Sequence, residues 1–542
     1  MHRRDFLKSA SAATVALGAT TLPLPWSLAF AQSRSESLLL ITENGPNNLD
    51  IQGVGTNRPG YEVSWNCYDR LLSYGTKTLP DGSLSYDKDK IIPELAESWE
   101  EDDEGITFHL RQDAAFHDGT PVTAADVKWS FDRAVSVGGF ATVQMAAGSL
   151  KEPDQFEAID DHTFRIKFIE KNFLLIPDLA VIVPGIYNSA LVKANASDAD
   201  PWGLEYTKNN VAGSGAFKVD KWTPGTEVLY ARNDDWKCGP LPALKRVIWR
   251  TIPSAGNRRA LIERGDADVS FDLPAKDFLE LSKEGKVKVV STPISNGMWC
   301  VELNVTKPPF DNKLVRQAVA YAIPYQKIMD AVMFGRAKPL FGAESNVADS
   351  IAWPRPSGYS TDLDKAKALL AEAGYADGFE TEISFDLGQG VVSEPAAILI
   401  QESLAGIGIK TAINKVPGAN WRGEMAKKSM PFLINFFSGW LDYPEYFFFW
   451  CYDGQNAVFN TMSYQNPDLD ALIDAAYATH TAGDMAAYET AVKDMITLAY
   501  EEAPRIPLFQ PYLEVAMQNT IDGYSYWFHR QLDYRSLSKG EA

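Results

Sequence analysis

The sequence has 542 residues, of which 45% are hydrophobic, and carries a formal net charge of −20 at pH 7. A chain of this length can bury enough apolar surface for two or three domains, and its 12% aromatic content excludes an acidic disordered protein. Because so strong a negative charge repels phosphate backbones, we expect no nucleic-acid partner.

The first 31 residues have the pattern of a targeting segment. Arg3-Arg4 forms a twin-arginine motif, a moderately apolar stretch covers residues 10–28, and Ala29-Phe30-Ala31 fits the A-x-A cleavage rule. A membrane anchor is the alternative, but two prolines interrupt the apolar stretch. We therefore expect residues 1–31 to be a twin-arginine signal peptide cleaved after Ala31, and a mature protein that works in the periplasm.

The four cysteines, Cys67, Cys238, Cys300 and Cys451, lie far apart and form no CxxC pair. This spacing speaks against a zinc or redox site, and it leaves the possible disulfide pairings open. Because twin-arginine cargo is exported already folded, we expect these thiols to be reduced and buried.

Predicted strands and helices alternate along the chain, which indicates an α/β architecture. In the first half we predict a strand at 37–43, a helix at 61–74, a turn-rich loop at 78–89, a hairpin of strands at 95–100 and 106–111, a helix at 124–135 and a strand at 163–168. In the second half we predict helices at 258–264, 312–323, 364–373, 394–406, 467–479 and 484–501, and strands at 268–272, 296–304, 380–386, 409–415, 432–437 and 504–515.

The stretch from Phe432 to Trp450 combines a buried apolar strand with one isolated acid. Gly439 and Trp440 follow the predicted strand, and Asp442 stands just before Tyr443-Pro444. An unpaired buried carboxylate is costly, so Asp442 either has an internal partner or binds a cationic ligand. The alternative, which these residues by themselves favour, is that Asp442 caps the helix that begins after the proline.

The sequence contains no motif that indicates catalysis. Its six histidines are scattered, no HExxH motif occurs, and nothing singles out one pair of carboxylates as an acid and a base. What remains is an exported α/β protein that could bind a small molecule between two lobes.

Seven blocks of sequence carry a resemblance that covers residues 38 to 530. They are IIPELAESWEEDDEGITFHLRQDAAFHDGTPVTAADVKWSFDRA at 91–134, GSGAFKVDKW at 213–222, RRALIERGDADV at 258–269, PPFDNKLVRQAVAYAI at 308–323, DKAKALLAEAGYADGF at 364–379, GWLDYP at 439–444 and NPDLDALID at 466–474. In this order they closely resemble the extracellular solute-binding proteins of family 5, which include the peptide-, nickel- and opine-type binding components of bacterial ABC importers.

The resemblance implies a two-lobed periplasmic-binding-protein fold with an extra domain inserted in lobe one. Carried over to this chain, lobe one would comprise residues 32–72, 211–293 and 510–542. The extra domain would comprise residues 73–210, and lobe two residues 294–509.

The resemblance also implies a ligand site between the lobes. Asp442 matches an aspartate that binds the α-ammonium of a peptide in oligopeptide-binding relatives, with one fewer residue between it and Trp440. The strand Gly439-Trp440-Leu441 would offer backbone hydrogen bonds to an extended ligand, and Gln52-Gly53-Val54 would do so from the facing lobe. The matching pocket walls are Trp421, Cys300 and either Phe271 or Asp272.

Two positions depart from the family pattern. Phe437 stands where a carboxylate-binding arginine can occur, which puts a standard clamp for a peptide carboxylate in doubt. Pro324 replaces the usual aspartate of another block, a change that we interpret as structural.

These features predict a monomeric, non-enzymatic binding protein without a cofactor. It would close about a hinge on a peptide or amino-acid-derived solute with a cationic amine, and deliver it to a membrane permease whose partner subunits hydrolyse ATP. Within the same fold, Phe437 keeps an opine, an oligosaccharide or a metal chelate open as the solute. A secreted hydrolase is the alternative from another class, and a chemoreceptor contact is a further role that this fold permits.

Overall fold

A computed structural model of the protein describes residues 34–456 and 459–540. The predicted signal peptide of residues 1–31, with its cleavage site, lies outside the described residues. Among the residues described, no helix combines the length and the apolar character needed to cross a membrane.

The strands of the fold are short apart from one long strand near the C-terminus. They are β1 (Ser37–Thr42), β2 (Leu72–Thr78), β3 (Leu84–Pro93), β4 (Ala96–Glu101), β5 (Gly105–Leu110), β6 (Phe156–Ala158), β7 (Thr163–Lys167), β8 (Phe217–Thr223), β9 (Glu227–Arg232), β10 (Arg246–Thr251), β11 (Val269–Ser270), β12 (Lys288–Pro293), β13 (Gly297–Leu303), β14 (Ala337–Pro339), β15 (Glu380–Asp386), β16 (Lys410–Val416), β17 (Phe432–Ser438), β18 (Arg505–Met517), β19 (Ile521–Asp522), β20 (Ser525–Tyr526) and β21 (Ser538–Lys539).

The helices pack on the faces of these strands and between them. They are α1 (Arg58–Cys67), α2 (Ala124–Ser136), α3 (Gly139–Ala147), α4 (Leu175–Leu179), α5 (Ser189–Ala194), α6 (Leu204–Thr207), α7 (Ala255–Glu263), α8 (Ala275–Glu284), α9 (Lys313–Ala322), α10 (Tyr325–Ala331), α11 (Leu363–Glu372), α12 (Gly390–Ala405), α13 (Gly418–Ala426), α14 (Pro444–Cys451), α15 (Pro467–Thr481) and α16 (Met485–Glu502).

One mixed sheet runs through both lobes, in the order β16-β15-β17-β13-β18-β11-β1-β10-β9-β8, with β12 and β14 also paired to β18. The long strand β18 joins two parts of this sheet. Its residues 505–511 pair with β13 and β14, whereas residues 512–517 pair with β11 and β12. We call the part built on β1, β8–β12 lobe one and the part built on β13–β17 lobe two.

The chain also crosses between the lobes where β12 leads into β13. Close to the point where β18 changes its partners, Ile294 N donates to Pro511 O at 2.9 Å and Gln510 Nε2 donates to Ile294 O at 2.8 Å. The two crossings therefore lie side by side, which is the arrangement of a hinge.

Two smaller sheets belong to the region predicted as the extra domain. The first has the order β2-β3-β20 and the second the order β4-β5-β7-β6. Strand β20 comes from the C-terminal segment, so this segment ties the smaller sheet to lobe one. The limits of the three domains stay predictions.

The core is divided by the strand β13, whose seven residues are all buried. Met298 and Cys300 face the largest cluster, which extends from lobe one through the extra domain to α14–α16, while Trp299 and Val301 face the separate core of lobe two. Strict alternation along β13 thus lets one strand contribute to two cores.

The predicted loop at 78–89 is wrong. Residues 84–93 form β3, which pairs in antiparallel fashion with β2, so that Thr78 faces Leu84 across a turn that contains Gly82. The polar composition of both strands conceals this hairpin, because their outer residues are exposed. The predicted helix at 61–74 is too long: α1 ends at Cys67, and β2 begins at Leu72.

Candidate ligand-binding site

Asp442 lies at the end of β17, where the chain turns towards α14. The turn needs glycine at position 439, since a Cβ there would lie 2.7 Å from the ring of Tyr446 and 2.8 Å from Asn296 Nδ2. Gly439 N donates to Asn296 O at 3.0 Å, and Asn296 Nδ2 donates to the carbonyl oxygen of Leu441. The end of β17 is thereby held against the crossing between β12 and β13.

The carboxylate of Asp442 faces strand β3, in the region predicted as the extra domain. Tyr86 Oη, on β3, donates to its Oδ2 at 3.4 Å. Burial raises the pKa of Asp442 above its usual range, and the positive charges of Lys88 and Lys77 offset only part of this effect. No described side chain forms an ion pair with Asp442, so the carboxylate retains capacity for a cationic partner.

The capping role considered for Asp442 is wrong. The N-cap residue of α14 is Tyr443, and no side chain makes a capping hydrogen bond to the helix. Pro444 takes the first helical position, where its missing N–H costs nothing. Helix capping therefore does not explain why an aspartate occupies position 442.

Trp440 reaches from lobe two into an aromatic cluster of lobe one. Its ring centroid lies 5.2 Å from Tyr61, 5.6 Å from Phe528 and 4.3 Å from His529, and its side chain is buried. Leu441 beside it is fully buried. The structure thus brings Trp440, Leu441 and Asp442 to the boundary between the lobes, and lays Trp440 against protein rings.

The lobe-one segment Gln52-Gly53-Val54 is bound mostly to its own lobe. Gln52 is buried, its Nε2 donates to Val183 O at 2.9 Å, and its Oε1 accepts from Arg133 Nη1 at 2.8 Å. A Cβ at Gly53 would lie 2.4 Å from a side-chain atom of Asn48. Val54, at 72% exposure, is the residue of the three that offers a side chain to solvent.

Trp421 and Phe437 differ in how far protein contacts occupy them. Trp421, on α13, is buried in a small cluster with four residues of α13, β16 and β17 and the segments between them, namely Val416, Met425, Met430 and Leu433. Phe437 is half-buried and meets the rings of Phe447 and Phe459 edge-on at 5.1 and 5.2 Å. Phe437 is thus the more accessible of these two candidate site residues.

Cys300 and the 271–272 segment are interior features. The Cys300 thiol is fully buried with Glu302 Oε1 and Asn435 O each 3.6 Å away, and burial raises its pKa well above the usual value. Phe271 is buried, while Asp272 has a positive φ of 62° and accepts from Glu43 N at 3.2 Å. As ligand contacts, these residues stay predictions.

The expectation that the cysteine thiols are buried and unpaired is confirmed. All four cysteines are free and buried. In the part of the chain that the structure describes, no group of three or more His, Cys, Asp and Glu side chains is placed to hold a metal ion.

Arg58 is a site candidate that reasoning from the sequence missed. It begins α1 in lobe one, and its Cζ lies 5.3 Å from the ring centroid of Phe436 on β17 of lobe two. Burial lowers its pKa, and Arg422 on α13 acts in the same direction. The sequence could have drawn attention to Arg58, because it stands in the first turn of a helix, where a positive charge opposes the helix dipole.

Comparison with known proteins identifies the family. The family model described as "Bacterial extracellular solute-binding proteins, family 5 Middle" matches residues 90–459. The chain belongs to this family. As a family 5 solute-binding protein it is a periplasmic, non-enzymatic transport component that serves an ABC permease.

Curated relatives match this family 5 protein along most of its length. The probable D,D-dipeptide-binding periplasmic protein of Escherichia coli (strain K12) is 28% identical, and the match covers 93% of this chain and 94% of the relative. The glutathione-binding protein of Pectobacterium atrosepticum is also 28% identical, with 85% and 88% covered.

Solved structures show the same two-lobed fold. A periplasmic binding protein of Helicobacter pylori in complex with peptide STSA has a TM-score of 0.79 at 22% identity, covering 93% of this chain and 98% of that one. The binding protein AgaA in complex with agropinic acid, from A.tumefacien R10, has a TM-score of 0.76 at 26% identity, with 93% and 99% covered. The predicted fold class is thereby confirmed.

Proposed function

We propose that this protein captures a peptide or amino-acid-derived solute with a positively charged amine, and that Asp442 binds the amine. The observation that carries the proposal is a carboxylate at the lobe boundary with a tyrosine hydroxyl 3.4 Å away and no described cationic partner in ion-pair contact. An ammonium group would supply the missing charge and restore the usual ionised form of the aspartate.

The relatives support this class of solute. Their names state that they bind D,D-dipeptides or glutathione, and one structural neighbour holds a peptide. Each of these ligands is built from amino acids, and each carries an amine. Capture would follow from hinge closure, since a solute that contacts both lobes stabilises the closed form by its difference in affinity for the two forms.

A second candidate is an opine. Phe437 favours it, because an aromatic ring occupies the position at which relatives can carry a carboxylate-binding arginine. One structural neighbour binds agropinic acid. The two candidates differ in the solute and share the mechanism.

The test begins with a thermal-shift screen of dipeptides, glutathione and opines against the purified protein, because a bound solute raises the unfolding temperature by mass action. Calorimetry then compares the best solute with wild-type protein and with Asp442→Asn. We expect about 30-fold weaker binding or more, since removing one member of a buried charge pair costs at least about 2 kcal/mol.

The matched control is Asp234→Asn, which removes an exposed carboxylate of lobe one that pairs with Arg232. It should bind as the wild type does. Equal affinity of wild type and Asp442→Asn would remove Asp442 from the site, and turnover of the bound solute would contradict the function as a whole.

We also propose export by the twin-arginine route, cleavage after Ala31 and a monomeric mature protein. The support is the sequence of residues 1–31, and the monomer follows from the expected use of one copy per solute. N-terminal sequencing of the periplasmic protein measures the cleavage site. Light scattering of the purified protein measures the oligomeric state.

A further inference from the structure

The side chain of Arg58 crosses from lobe one to lobe two without an acidic partner. Its guanidinium lies over the ring of Phe436, and it is partly shielded from solvent. Among residues 34–456 and 459–540, no carboxylate forms an ion pair or a hydrogen bond with it. The groups that act on its charge are Tyr61, Tyr526 and Arg422.

The deeply buried arginines of this protein behave differently. Three of them are paired with a carboxylate at 2.6 to 2.7 Å, namely Arg70 with Glu94, Arg133 with Asp50 and Arg505 with Glu302. This is the usual rule, because a buried cation without a counter-charge is costly. Arg58 is only partly buried, but it has no counter-charge among the described residues, and it lies at the boundary where the solute is expected.

Arg422 adds a second positive charge from the facing lobe. It is exposed on α13, next to Trp421, and within the described chain it too has no carboxylate in ion-pair contact. Its charge helps to lower the pKa of Arg58.

His529 supplies an unpartnered polar group near the same place. Its side chain is 8% exposed, and neither ring nitrogen has a hydrogen-bond partner in the described structure. Its ring centroid lies 4.3 Å from Trp440 and 6.3 Å from Tyr61, the residue of α1 whose hydroxyl also acts on Arg58. Burial and the charge of Arg58 both lower the pKa of His529, so the neutral ring can donate one hydrogen bond and accept another.

Tyr526 connects this corner with Asp442. It is buried on β20, its Oη accepts from Ser295 N at 2.9 Å, and it lies within electrostatic reach of both Asp442 and Arg58. Its ring centroid lies 6.0 Å from that of Tyr86, whose hydroxyl donates to Asp442.

We propose that Arg58 binds an anionic group of the solute, so that the protein selects molecules with an amine for Asp442 and a carboxylate for Arg58. This inference rests on the proposed function and adds the second charge to it. Guanidinium groups bind carboxylate and phosphate with the same planar fork, so the test includes both anions.

The binding test uses D-alanyl-D-alanine, L-alanyl-L-alanine, the C-terminal amide of each dipeptide, and phosphoethanolamine. In calorimetry, the wild type should bind the dipeptide acids about 30-fold more tightly than the amides, because an amide leaves the arginine unpaired. Arg58→Met should bind acid and amide alike, and Arg58→Lys should recover part of the difference. Binding of phosphoethanolamine in preference to both acids would assign Arg58 to phosphate and overturn the inference that it binds a carboxylate.

The matched control is Arg264→Met, which removes an exposed arginine of lobe one that pairs with Asp266. It should discriminate acid from amide as the wild type does. If Arg58→Met also keeps this discrimination, the inference fails while the proposed function stands. If binding depends on Arg58 but not on Asp442, the amine part of the proposed function fails instead.

A second measurement needs no solute. The thermal unfolding of ligand-free Arg58→Met should occur at the wild-type temperature or above it, because the change removes an unpaired charge and keeps an apolar stem. A lower unfolding temperature than that of wild type and Arg264→Met would show that Arg58 supports the fold, and would overturn the inference. If none of the five probes binds the wild type, the inference that one solute carries an amine for Asp442 and an anion for Arg58 is overturned.

Discussion

Asp178 shows how burial changes the chemistry of a single side chain. It is fully buried on α4, and its Oδ1 accepts from Gln144 Nε2 at 2.6 Å, while its Oδ2 has no partner in the described structure. Burial raises the pKa of Asp178 from 3.8 to about 8. The folded protein therefore holds a proton on Asp178 at neutral pH, which the unfolded chain has released.

We expect the free energy of unfolding to fall as the pH rises from about 4 to about 8, and the contribution of Asp178 to level off above that range. Asp178→Asn imitates the neutral form, so it should be more stable than the wild type at pH 8 by at least about 1 kcal/mol, with a flatter pH profile. Urea unfolding at several pH values measures both effects. The exposed control Asp154→Asn should follow the wild type, and a destabilised Asp178→Asn would contradict the assignment.

Strands β13 and β18 are joined by a buried ion pair. Arg505 Nη2 and Glu302 Oε1 are 2.7 Å apart with both side chains almost completely buried, and Thr461 donates a hydrogen bond to the same carboxylate. The pair lies in lobe two, on the half of β18 that leads to the hinge. Removing one partner would leave one uncompensated charge between two central strands.

Glu302→Leu should lower the free energy of unfolding by about 3 kcal/mol or more, because it leaves the charge of Arg505 in the core without a partner. The double variant Glu302→Leu/Arg505→Met should lose less than this single variant, since it removes both charges. Denaturant unfolding gives the comparison. The exposed pair Lys410–Glu380 provides the control, where Glu380→Gln should change the stability by less than about 0.5 kcal/mol.

The two lobes touch well beyond the hinge. The rings of Phe173 in the extra domain and His480 on α15 stack with centroids 3.6 Å apart, and Tyr446 Oη donates to Gln144 Oε1 at 2.5 Å. These contacts, with that of Trp440 on Tyr61, join lobe two to the residues of lobe one and of the predicted extra domain. We expect a solute to enter when these contacts separate, by a motion about the adjoining crossings at β12–β13 and β18.

We expect a bound solute to make the protein more compact, because it adds contacts that exist only in the closed form. Small-angle scattering with and without saturating solute should show a smaller radius of gyration in the bound state. Glu380→Gln, which lies far from the boundary in an exposed pair, should behave like the wild type. Identical scattering curves in both states would contradict capture by hinge closure.

Local patterns in the sequence were sufficient for many of the longer elements, and seven blocks of sequence were sufficient for the family. The apolar run of β17, the glycine at 439 and the proline at 444 mark the end of a strand, so Asp442 could be singled out before its surroundings were known. The hairpin of β2 and β3 was not predicted, because its outer residues are polar. Its pairing, including that of β3 with β20, is seen only in the tertiary structure.

Contacts between residues that are distant in the chain could be found only in the tertiary structure. Tyr86 and Asp442 are 356 residues apart, and no periodicity connects them. Gln52, Trp421 and Cys300 were chosen by resemblance, and the fold surrounds each of them with protein contacts. Arg58 drew no attention, because a charge is unusual only when nothing nearby balances it. The sequence determines which charges the protein has, and packing determines which of them remain unpaired for a solute.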